Sequence, residues 1–431
     1  MKKLIGILAL LALVNTANAE LLKNFKYDGK ITVDAYSAKN TADFYSKKGD
    51  TASDANTRVE LNAGFDLTED VNAAVSAVKC DRQYGNNSQT VAGGTIDAFT
   101  FEQAYLNLKG VLGIDHKIGR QYYGSEGDLV IYYGPRNFPY AYNATPANAL
   151  SVSGLDGWTG WYKNDKLTVH GLVAKQKQGA ASRPDVGDID VSGVVGKYDL
   201  MEMLNIGAYA YEYKNYNNSA NAATADQTLD IAGVKADGRL SQLNLNYYGE
   251  IAKNYGHKAA GVNYTGTGFL VGAKMNLDLI GKWTFMGEFA SGTGDKASLK
   301  KDEGFTTLNS DYRPGVIFSG IFGNSGLNNL TTWNLGATWN TPMFEKLTLG
   351  GKLLHYGYSE KVTSTVNAQT TDTIGNELDL TAAWQHSENV GLMAYYGAFL
   401  PTSKYTKYAL DNAAAKDDMA TVLGAALNVK F

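Results

Sequence analysis

Hydrophobic and polar residues alternate one by one in many separate stretches of this chain. The stretch 423–431 places an apolar side chain at every odd position, with Asn428 and Lys430 between them, and 59–67 and 333–339 follow the same rule. Successive side chains of a β-strand point to opposite faces. The alternation therefore predicts strands with one apolar and one polar face.

Eighteen segments of this kind are predicted along the chain. They lie near 25–38, 56–68, 71–84, 97–109, 114–123, 153–162, 166–177, 188–198, 204–214, 227–236, 240–252, 268–277, 282–291, 331–341, 346–359, 376–386, 390–400 and 420–431. Boundaries read from sequence shift by a few residues, so sixteen strands remain possible.

The connections between these segments alternate between short and long. The short ones include 69–70, 110–113, 164–165, 237–239 and 387–389, and the long ones include 39–55, 85–96, 124–152 and 292–330. Bacterial outer-membrane barrels have short periplasmic turns and long extracellular loops. The predicted fold is an all-β, transmembrane, antiparallel up-and-down β-barrel of eighteen strands. The first strand begins soon after the leader, so no plug domain is expected.

Both ends of the chain carry export signals. Lys2 and Lys3 precede an apolar stretch, 4–14, and the small residues 17–19 follow it. This is the pattern of a secretory signal peptide, and the stretch is too short to span a bilayer as an anchor. We expect a signal peptide at 1–19, a single barrel domain at 20–431, and an outer-membrane location. A terminal aromatic on the apolar face, Phe431, resembles the insertion signal of outer-membrane proteins.

Composition narrows the possible partners. The chain has 47 Gly, 28 Tyr and only 7 Pro, which favours strands and turns over helices. The formal net charge of −4 argues against nucleic acid as a partner. The single cysteine, Cys80, cannot form an internal disulfide. The expected partners are outer-membrane lipids, lipopolysaccharide, the barrel-assembly machinery and small hydrophilic solutes, and no cofactor is expected.

The connection at about 124–152 is too aromatic for a solvated outer loop. It contains Tyr132, Tyr133, Phe138 and Tyr140. An eighteen-strand barrel is wide enough to hold an aqueous channel, and a loop packed on its inner wall would bury these rings. We predict that this loop folds inward and constricts the pore; a surface loop or an extra strand pair is the alternative.

The candidate site consists of charged residues that alternation places on the face toward the lumen, together with charged residues of this loop. The predicted pore-lining or constriction residues are Arg58, Glu60, Arg120, Glu126, Asp128, Arg136, Glu288, Lys352, Glu377 and Asp379. Selectivity in a pore depends on its radius and on the charges of its wall. Arg120 shares the phase of the apolar Ile118. Either a bulge at Gly119 turns Arg120 inward, or Arg120 sits above the membrane.

Three short motifs resemble the alginate-export family of outer-membrane proteins. They are Gln-Ala-Tyr-Leu-Asn-Leu at 103–108, Ile-Gly-Arg-Gln at 118–121, and Ala-Ser-Gly-Thr-Gly-Asp at 290–295 followed by Gly304 and Phe305. The resemblance implies an eighteen-strand barrel with a charged pore narrowed by loops. A pore for an anionic polyuronate should be rich in arginine, and this chain has only seven arginines. We therefore expect a channel for small hydrophilic or charged solutes. A dedicated exporter of an anionic polysaccharide such as alginate is the alternative.

Other function classes have weaker support. The histidines His116, His170, His257, His355 and His386 are scattered, without a nucleophile or acid at a catalytic spacing. We therefore expect no enzyme. The loop 292–303 offers oxygen ligands for calcium, but a glycine turn with a solvated charge run explains it better, since the EF-hand pattern is absent. A purely adhesive barrel would need far fewer strands.

Overall fold

The computed structural model describes residues 23–47, 49–81, 90–91, 94–95, 99–135, 154–179, 187–201, 203–216, 226–411 and 416–431. The signal peptide expected at 1–19 and the part of the aromatic loop at 136–153 lie outside these ranges. Among the described residues, no helix is long and apolar enough to cross a membrane.

Eighteen long antiparallel strands form one closed sheet in the described part of the chain. They are β1 (Lys23–Lys39), β2 (Ala52–Asp66), β3 (Val71–Asp81), β4 (Thr100–Val111), β5 (Ile114–Gln121), β6 (Leu155–Lys163), β7 (Leu167–Lys177), β8 (Ile189–Met201), β9 (Leu204–Asn215), β10 (Gln227–Leu240), β11 (Leu245–Lys258), β12 (Thr267–Leu279), β13 (Gly281–Gly292), β14 (Thr331–Asn340), β15 (Leu347–Thr363), β16 (Thr370–Gln385), β17 (Val390–Pro401) and β18 (Ala420–Lys430). Each strand pairs with the next in sequence. The prediction of an eighteen-strand up-and-down barrel is confirmed, and no plug domain is seen in these ranges.

The first and last strands close the barrel. β1 pairs with β18 from Lys30 opposite Lys430 to Lys39 opposite Thr421. The Thr32 hydroxyl donates to Asn428 across this seam at 2.8 Å. Closure leaves no unpaired sheet edge, which is the condition for a sheet to cross lipid.

The connections between the long strands contain short helical turns and short strands. They are single helical turns at Ser241–Leu243, Ala259–Gly261, Val316–Ile321 and Tyr405–Ala409, and short strands at Thr90–Val91, Gly94–Thr95, Tyr123–Gly124, Tyr132–Tyr133, Val262–Tyr264 and Lys301–Asp302. Two of the long connections place such elements inside the barrel, as described below.

The two faces of the wall differ as the alternation predicts. The outward side chains Val234, Ile251, Val271 and Leu335 are 47–58% exposed. Exposed aliphatic groups at this density fit a wall that meets lipid. The inward positions between them carry polar groups such as Glu250, which is buried against other lumen groups.

One predicted turn lies elsewhere along the chain. The turn predicted at 237–239 is part of β10, where Asp237 pairs with both Asn205 and Tyr248. The chain reverses instead at Ser241–Asn244, where Asn244 adopts a left-handed φ of 47°. Asparagine tolerates that conformation better than most residues. Gly238 lies opposite Tyr247 in this pair of strands, and the Met203 carbonyl and the Tyr247 hydroxyl occupy the space that a β-carbon would need.

The terminal Phe431 packs on the first strand. Its backbone N–H and C=O both bond to Gly29, at 3.0 Å each. Its ring fills the space that a Gly29 side chain would need. The ring is 52% exposed on the outer face.

Deletion of Phe431 should impair assembly more than it impairs the folded barrel. The seam keeps its other β1–β18 pairs, so a barrel refolded in detergent should stay closed. We expect insertion in cells to fall, because the terminal aromatic resembles the insertion signal of outer-membrane proteins. Quantifying the folded protein in outer-membrane fractions tests this, and normal levels of the truncated protein would contradict it.

Candidate functional site: the barrel interior

The aromatic connection after β5 enters the barrel in its described part. We call residues 122–135 inner loop 1. Leu129, Val130 and Ile131 are at most 2% exposed. The Asp128 carboxylate lies 2.8 Å from the Lys235 ammonium on β10, five strands further around the wall. A loop that reaches this far around the wall to an inward-facing lysine lies within the lumen.

Lys235 stands at the centre of a charged cluster on the wall. Its ammonium lies 2.8 Å from Asp128 and 3.3 Å from Glu250 on β11. Tyr209 on β9 donates to the other oxygen of Glu250 at 2.5 Å. Because Lys235 faces two carboxylates, one of them from inner loop 1, it ties this loop to the wall.

The ends of inner loop 1 are held by further polar contacts. Tyr123 bonds to the Tyr211 hydroxyl and the His170 imidazole, both at 3.1 Å. Tyr122 donates to Glu102, which also bonds to Arg58. These groups lie on three different parts of the wall, so the start of the loop has one fixed position.

A second connection also folds inside, which the alternation of apolar and polar residues did not predict. We call residues 303–322, from the connection between β13 and β14, inner loop 2. Its Asn309 exchanges hydrogen bonds with Tyr132 at 2.8 and 2.6 Å. Its Asp311 accepts from the Gly127 N–H and donates its own N–H to the Asp128 carbonyl, both at 3.0 Å. The two loops therefore support each other inside the barrel.

Buried carboxylates fasten inner loop 2 to the wall. Glu377 on β16 accepts from the backbone N–H groups of Ile317 and Phe318, and Asp379 accepts from that of Val316 at 3.1 Å. Both carboxylates are at most 5% exposed. Burying a charge is costly unless it is hydrogen-bonded. Here the unpaired N–H groups of a helical turn supply those bonds.

Aromatic packing completes this attachment. The Phe318 ring lies 4.3 Å from that of Tyr356 and 5.8 Å from that of Phe399. Gly315 has no side chain because the Tyr356 hydroxyl and Glu377 occupy the space. The run Val-Ile-Phe-Ser-Gly-Ile-Phe at 316–322 is the signal that could have identified the loop, since an apolar run in a long outer connection needs cover.

The two loops and the wall enclose a recess of about 220 Å³. Lys274 and Lys352 lie on one row of cross-strand pairs, since Lys274 pairs with Met286, Met286 with Gly336, and Gly336 with Lys352. The lining residues are Glu126, Gly127, Tyr248, Lys274, Met286, Gly287, Glu288, Asp311, Tyr312, Arg313, Pro314, Asn334 and Lys352. Charges of both signs thus face one water-accessible space.

The acidic groups of the recess differ in how they are held. Glu288 accepts from Tyr248 at 2.7 Å, Tyr312 at 2.8 Å and Asn334 at 3.2 Å. Burial and the nearby Glu288 raise the pKa of the Tyr312 phenol well above its usual value, so it remains a donor. Glu126 also interacts electrostatically with Lys30 on β1. It comes from inner loop 1 and is exposed, so it presents its charge to the recess.

The basic groups of the recess also differ in how strongly other groups hold them. Arg313 is buried, and it bonds to Asp311 at 3.3 Å and to the Ser319 carbonyl at 3.0 Å. Lys352 donates to the Pro314 carbonyl at 3.2 Å. Arg313 braces inner loop 2, whereas the two lysines present their charge to the recess.

The predicted site residues fall into several groups. Glu126, Glu288 and Lys352 line the recess. Asp128, Glu377 and Asp379 anchor the inner loops rather than standing free. Arg58 and Glu60 form an ion pair of 3.6 Å on β2. Arg136 lies outside the described residues. The selectivity role assigned to these residues, and the control of pore size by the loop at 124–152, stay predictions.

Arg120 lies apart from the others. It forms a 2.7 Å ion pair with Asp156, directly across on β6. It shares its face with Ile118, which is 47% exposed, so the structure places Arg120 on the outer face near the extracellular end of β5. Gly119 adopts a φ of 124°, and the Ala104 carbonyl leaves no space for a side chain there. Gly119 and Arg120 pair in register with both neighbouring strands, so the bulge considered at Gly119 is absent and Arg120 is not turned inward.

The loop at 292–303 uses its carboxylates internally. Asp302 lies 2.9 Å from Lys258 and accepts from the Gly304 N–H. Asp295 accepts from the N–H groups of Ala297 and Glu303. Across the described ranges, no group of three or more acidic, histidine or cysteine side chains is placed to hold a metal ion.

Replacing Lys235 with methionine should loosen inner loop 1. The change leaves Asp128 and Glu250 facing each other without their shared cation. Lys235 is partly solvent-accessible, which reduces the penalty to about 1–3 kcal/mol. Thermal unfolding in detergent measures the loss. Lys274→Met, which removes a lysine without a carboxylate partner in the described chain, is the matched control. Equal stability of the two variants would contradict the anchoring role.

The fold and the loops inside it define an outer-membrane β-barrel with a narrowed lumen. The sequence matches the alginate export family over residues 29–408, and the chain belongs to this family. The resemblance found in the motifs is thereby confirmed, and so is the outer-membrane location. No curated protein matches the sequence.

Solved structures with the same fold are outer-membrane barrels of low sequence identity. A doubly substituted OccD1 (OprD) is 10% identical with a TM-score of 0.62, covering 95% of this chain and 96% of its own. OccK11 (OpdR) of Pseudomonas aeruginosa is 11% identical with a TM-score of 0.60, covering 95% and 97%. OccAB2 of Acinetobacter baumannii is 11% identical with a TM-score of 0.60, covering 95% and 98%. This likeness shows the shared fold.

Proposed function

We propose that this protein is a channel for the passive diffusion of small hydrophilic or charged solutes across the outer membrane. One observation carries the proposal. Two inner loops meet inside a closed eighteen-strand barrel, beside a recess lined by charges of both signs. A barrel of this width holds an aqueous channel unless something fills it, and these loops narrow it on one side.

The arrangement of charge supports a preference for small charged or dipolar solutes. Glu126 and Asp311 come from the loops, whereas Lys274 and Lys352 come from the wall. Charges in a confined space with low-dielectric walls act more strongly on a passing solute than charges on an open surface. A solute in this space therefore meets charged groups of both signs.

Export of an anionic polysaccharide is the second candidate, and family membership favours it. A polyuronate needs a continuous basic path, because each sugar carries a negative charge. The recess instead carries Glu126, Glu288 and Asp311 beside its cations. The mixture of charges supports small solutes over a long polyanion.

The proposal has corollaries at the membrane and in catalysis. We propose that the outer rim contacts lipopolysaccharide and that the barrel-assembly machinery recognises Phe431. We also propose that the protein is not an enzyme. The histidines His116, His355 and His386 each pack against a tryptophan, with ring centres within 6.0 Å, and such packing is a structural role for an imidazole.

Uptake by proteoliposomes tests the function. Vesicles containing the purified protein are mixed with a neutral monosaccharide, an amino acid, a monovalent carboxylate and an oligouronate, and swelling rates are compared. We expect the three small solutes to enter and the oligouronate to be excluded. Rapid entry of the oligouronate alone would favour the exporter, and no entry of any solute would refute both.

Charge reversal at the wall should change ion selectivity. Lys274→Glu with Lys352→Glu removes two positive charges from the recess and adds two negative ones, so the reversal potential in a salt gradient should shift toward cation selectivity. Lys163→Glu with Lys166→Glu, at the turn between β6 and β7, is the matched control outside the recess. An unchanged reversal potential in the first pair would mean that ions do not pass the recess.

A further inference from the structure

Two neighbouring turns at one end of the barrel expose large apolar side chains. The turn after β12 carries Leu279 and Ile280, which are 66% and 79% exposed, and the turn after β14 carries Met343 and Phe344, which are 71% and 65% exposed. β13 pairs with β14, so the two turns are adjacent. We call these four residues the rim patch. It lies at the end with short turns, which faces the periplasm in this class of barrel.

The rim patch continues the lipid-facing surface of the wall. Trp283 and Trp339 are cross-strand partners on that outer face, and their rings stack 5.4 Å apart. The indole N–H of Trp339 donates to the Ile280 carbonyl at 2.7 Å, which ties the turn to the tryptophan pair. Tryptophans of this kind mark the boundary between acyl chains and headgroups.

The next turn along the same rim has the opposite character. The connection between β16 and β17 is His-Ser-Glu-Asn at 386–389, and Glu388 is exposed. Large apolar side chains are also exposed at other turns of this rim, such as Leu112 at 94% and Leu243 at 58%, but the two adjacent turns of the rim patch bring four of them together. Four large apolar groups left in water would form a patch of the kind that marks a binding surface.

We propose that the rim patch inserts into the phospholipid leaflet at the periplasmic side of the outer membrane. The continuity with the stacked tryptophans selects lipid as the occupant, because the patch extends an apolar surface that already meets acyl chains. The lipid-contacting belt of the barrel is then taller in the sector of β12 to β15 than beside the polar turn at 386–389. A leaflet in contact with this sector is then thicker there than beside the turn at 386–389.

Environment-sensitive labels on the two kinds of turn test the proposal. Phe344→Cys and Ile280→Cys, each with Cys80→Ser, carry a fluorescent label on the full barrel, and Glu388→Cys in the same background is the matched control. The vesicles contain phosphatidylethanolamine and phosphatidylglycerol, with or without lipid bearing a nitroxide near its headgroup. Soluble iodide inside and outside the vesicles reports access from water. Heat-dependent gel mobility confirms that each variant is folded.

We expect the labels at positions 344 and 280 to be quenched by the nitroxide lipid at least about twofold more than the label at 388. Iodide should quench them correspondingly less. Equal iodide access at all three positions would overturn the proposal and leave the patch free for a periplasmic protein. Self-quenching that grows with protein density, without nitroxide quenching, would also overturn it and indicate contact between two copies of the chain.

Discussion

Removing the two carboxylates that hold inner loop 2 should open the channel. In Glu377→Met with Asp379→Leu, apolar side chains of similar size replace the two groups that accept three backbone N–H groups. Each buried N–H left without an acceptor costs about 1–3 kcal/mol, which the loop avoids by leaving the wall. We expect single-channel conductance to rise by about twofold or more, because the constriction narrows the lumen from this side.

The barrel itself should survive this change. The strand pairs of β15, β16 and β17 do not depend on the two carboxylates, so folded protein should still show heat-dependent gel mobility. Glu388→Gln, which removes a carboxylate from the turn between β16 and β17, is the control. A folded double variant that conducts like the wild type would show that the loop stays in place without these acceptors.

Shortening the aromatic connection should have an effect of similar size. Replacing 124–142 with a Gly-Ser link removes Leu129, Val130 and Ile131 from the lumen, together with the Asp128–Lys235 ion pair. The contacts from Gly127 and Tyr132 to inner loop 2 disappear as well. Conductance in planar bilayers should rise, and the barrel should remain folded because β5 and β6 still pair.

A matched shortening of an outer loop separates pore effects from general damage. The connection between β15 and β16 is exposed at 366–368, and its printed side-chain contacts are to Asp411 or within the connection itself, so shortening it there removes outer residues rather than parts of inner loop 1 or inner loop 2. If both shortened variants conduct equally, the loop at 124–142 does not constrict the pore. If only the first conducts more, the constriction assigned to inner loop 1 holds.

The barrel could be predicted because its signal is repeated. Each strand must place apolar residues toward lipid at every second position, so the same rule appears eighteen times, and closure adds the alternation of short and long connections. The turn at Ser241–Asn244 could not be placed as well. Its position depends on the left-handed backbone angle of Asn244 and on the packing of Tyr247 beside Gly238 within the hairpin, and the alternation of apolar and polar residues reveals neither.

The interior was only partly predictable. Alternation shows whether a residue faces inward or outward, but it does not show which other part of the chain contacts that residue. Alternation places Glu377 and Asp379 on the inward face, but nothing in their own strand shows that the chain near Ile317 lies against them. For Arg120, the sequence indicated an outward face but not the ion pair that stabilises a charged residue there. Its phase matched the outer face, and the cross-strand partner that makes this position tolerable, Asp156, lies far along the chain.

Single-channel recording of the purified protein in planar lipid bilayers tests the central claim most directly. The account predicts stable, discrete openings, with a conductance that rises when either inner loop is released from the wall. Ion selectivity should respond to charge reversal at Lys274 and Lys352. A folded protein without openings, or one whose conductance ignores both loops and both lysines, would contradict the assignment of this barrel as a channel narrowed by its two inner loops.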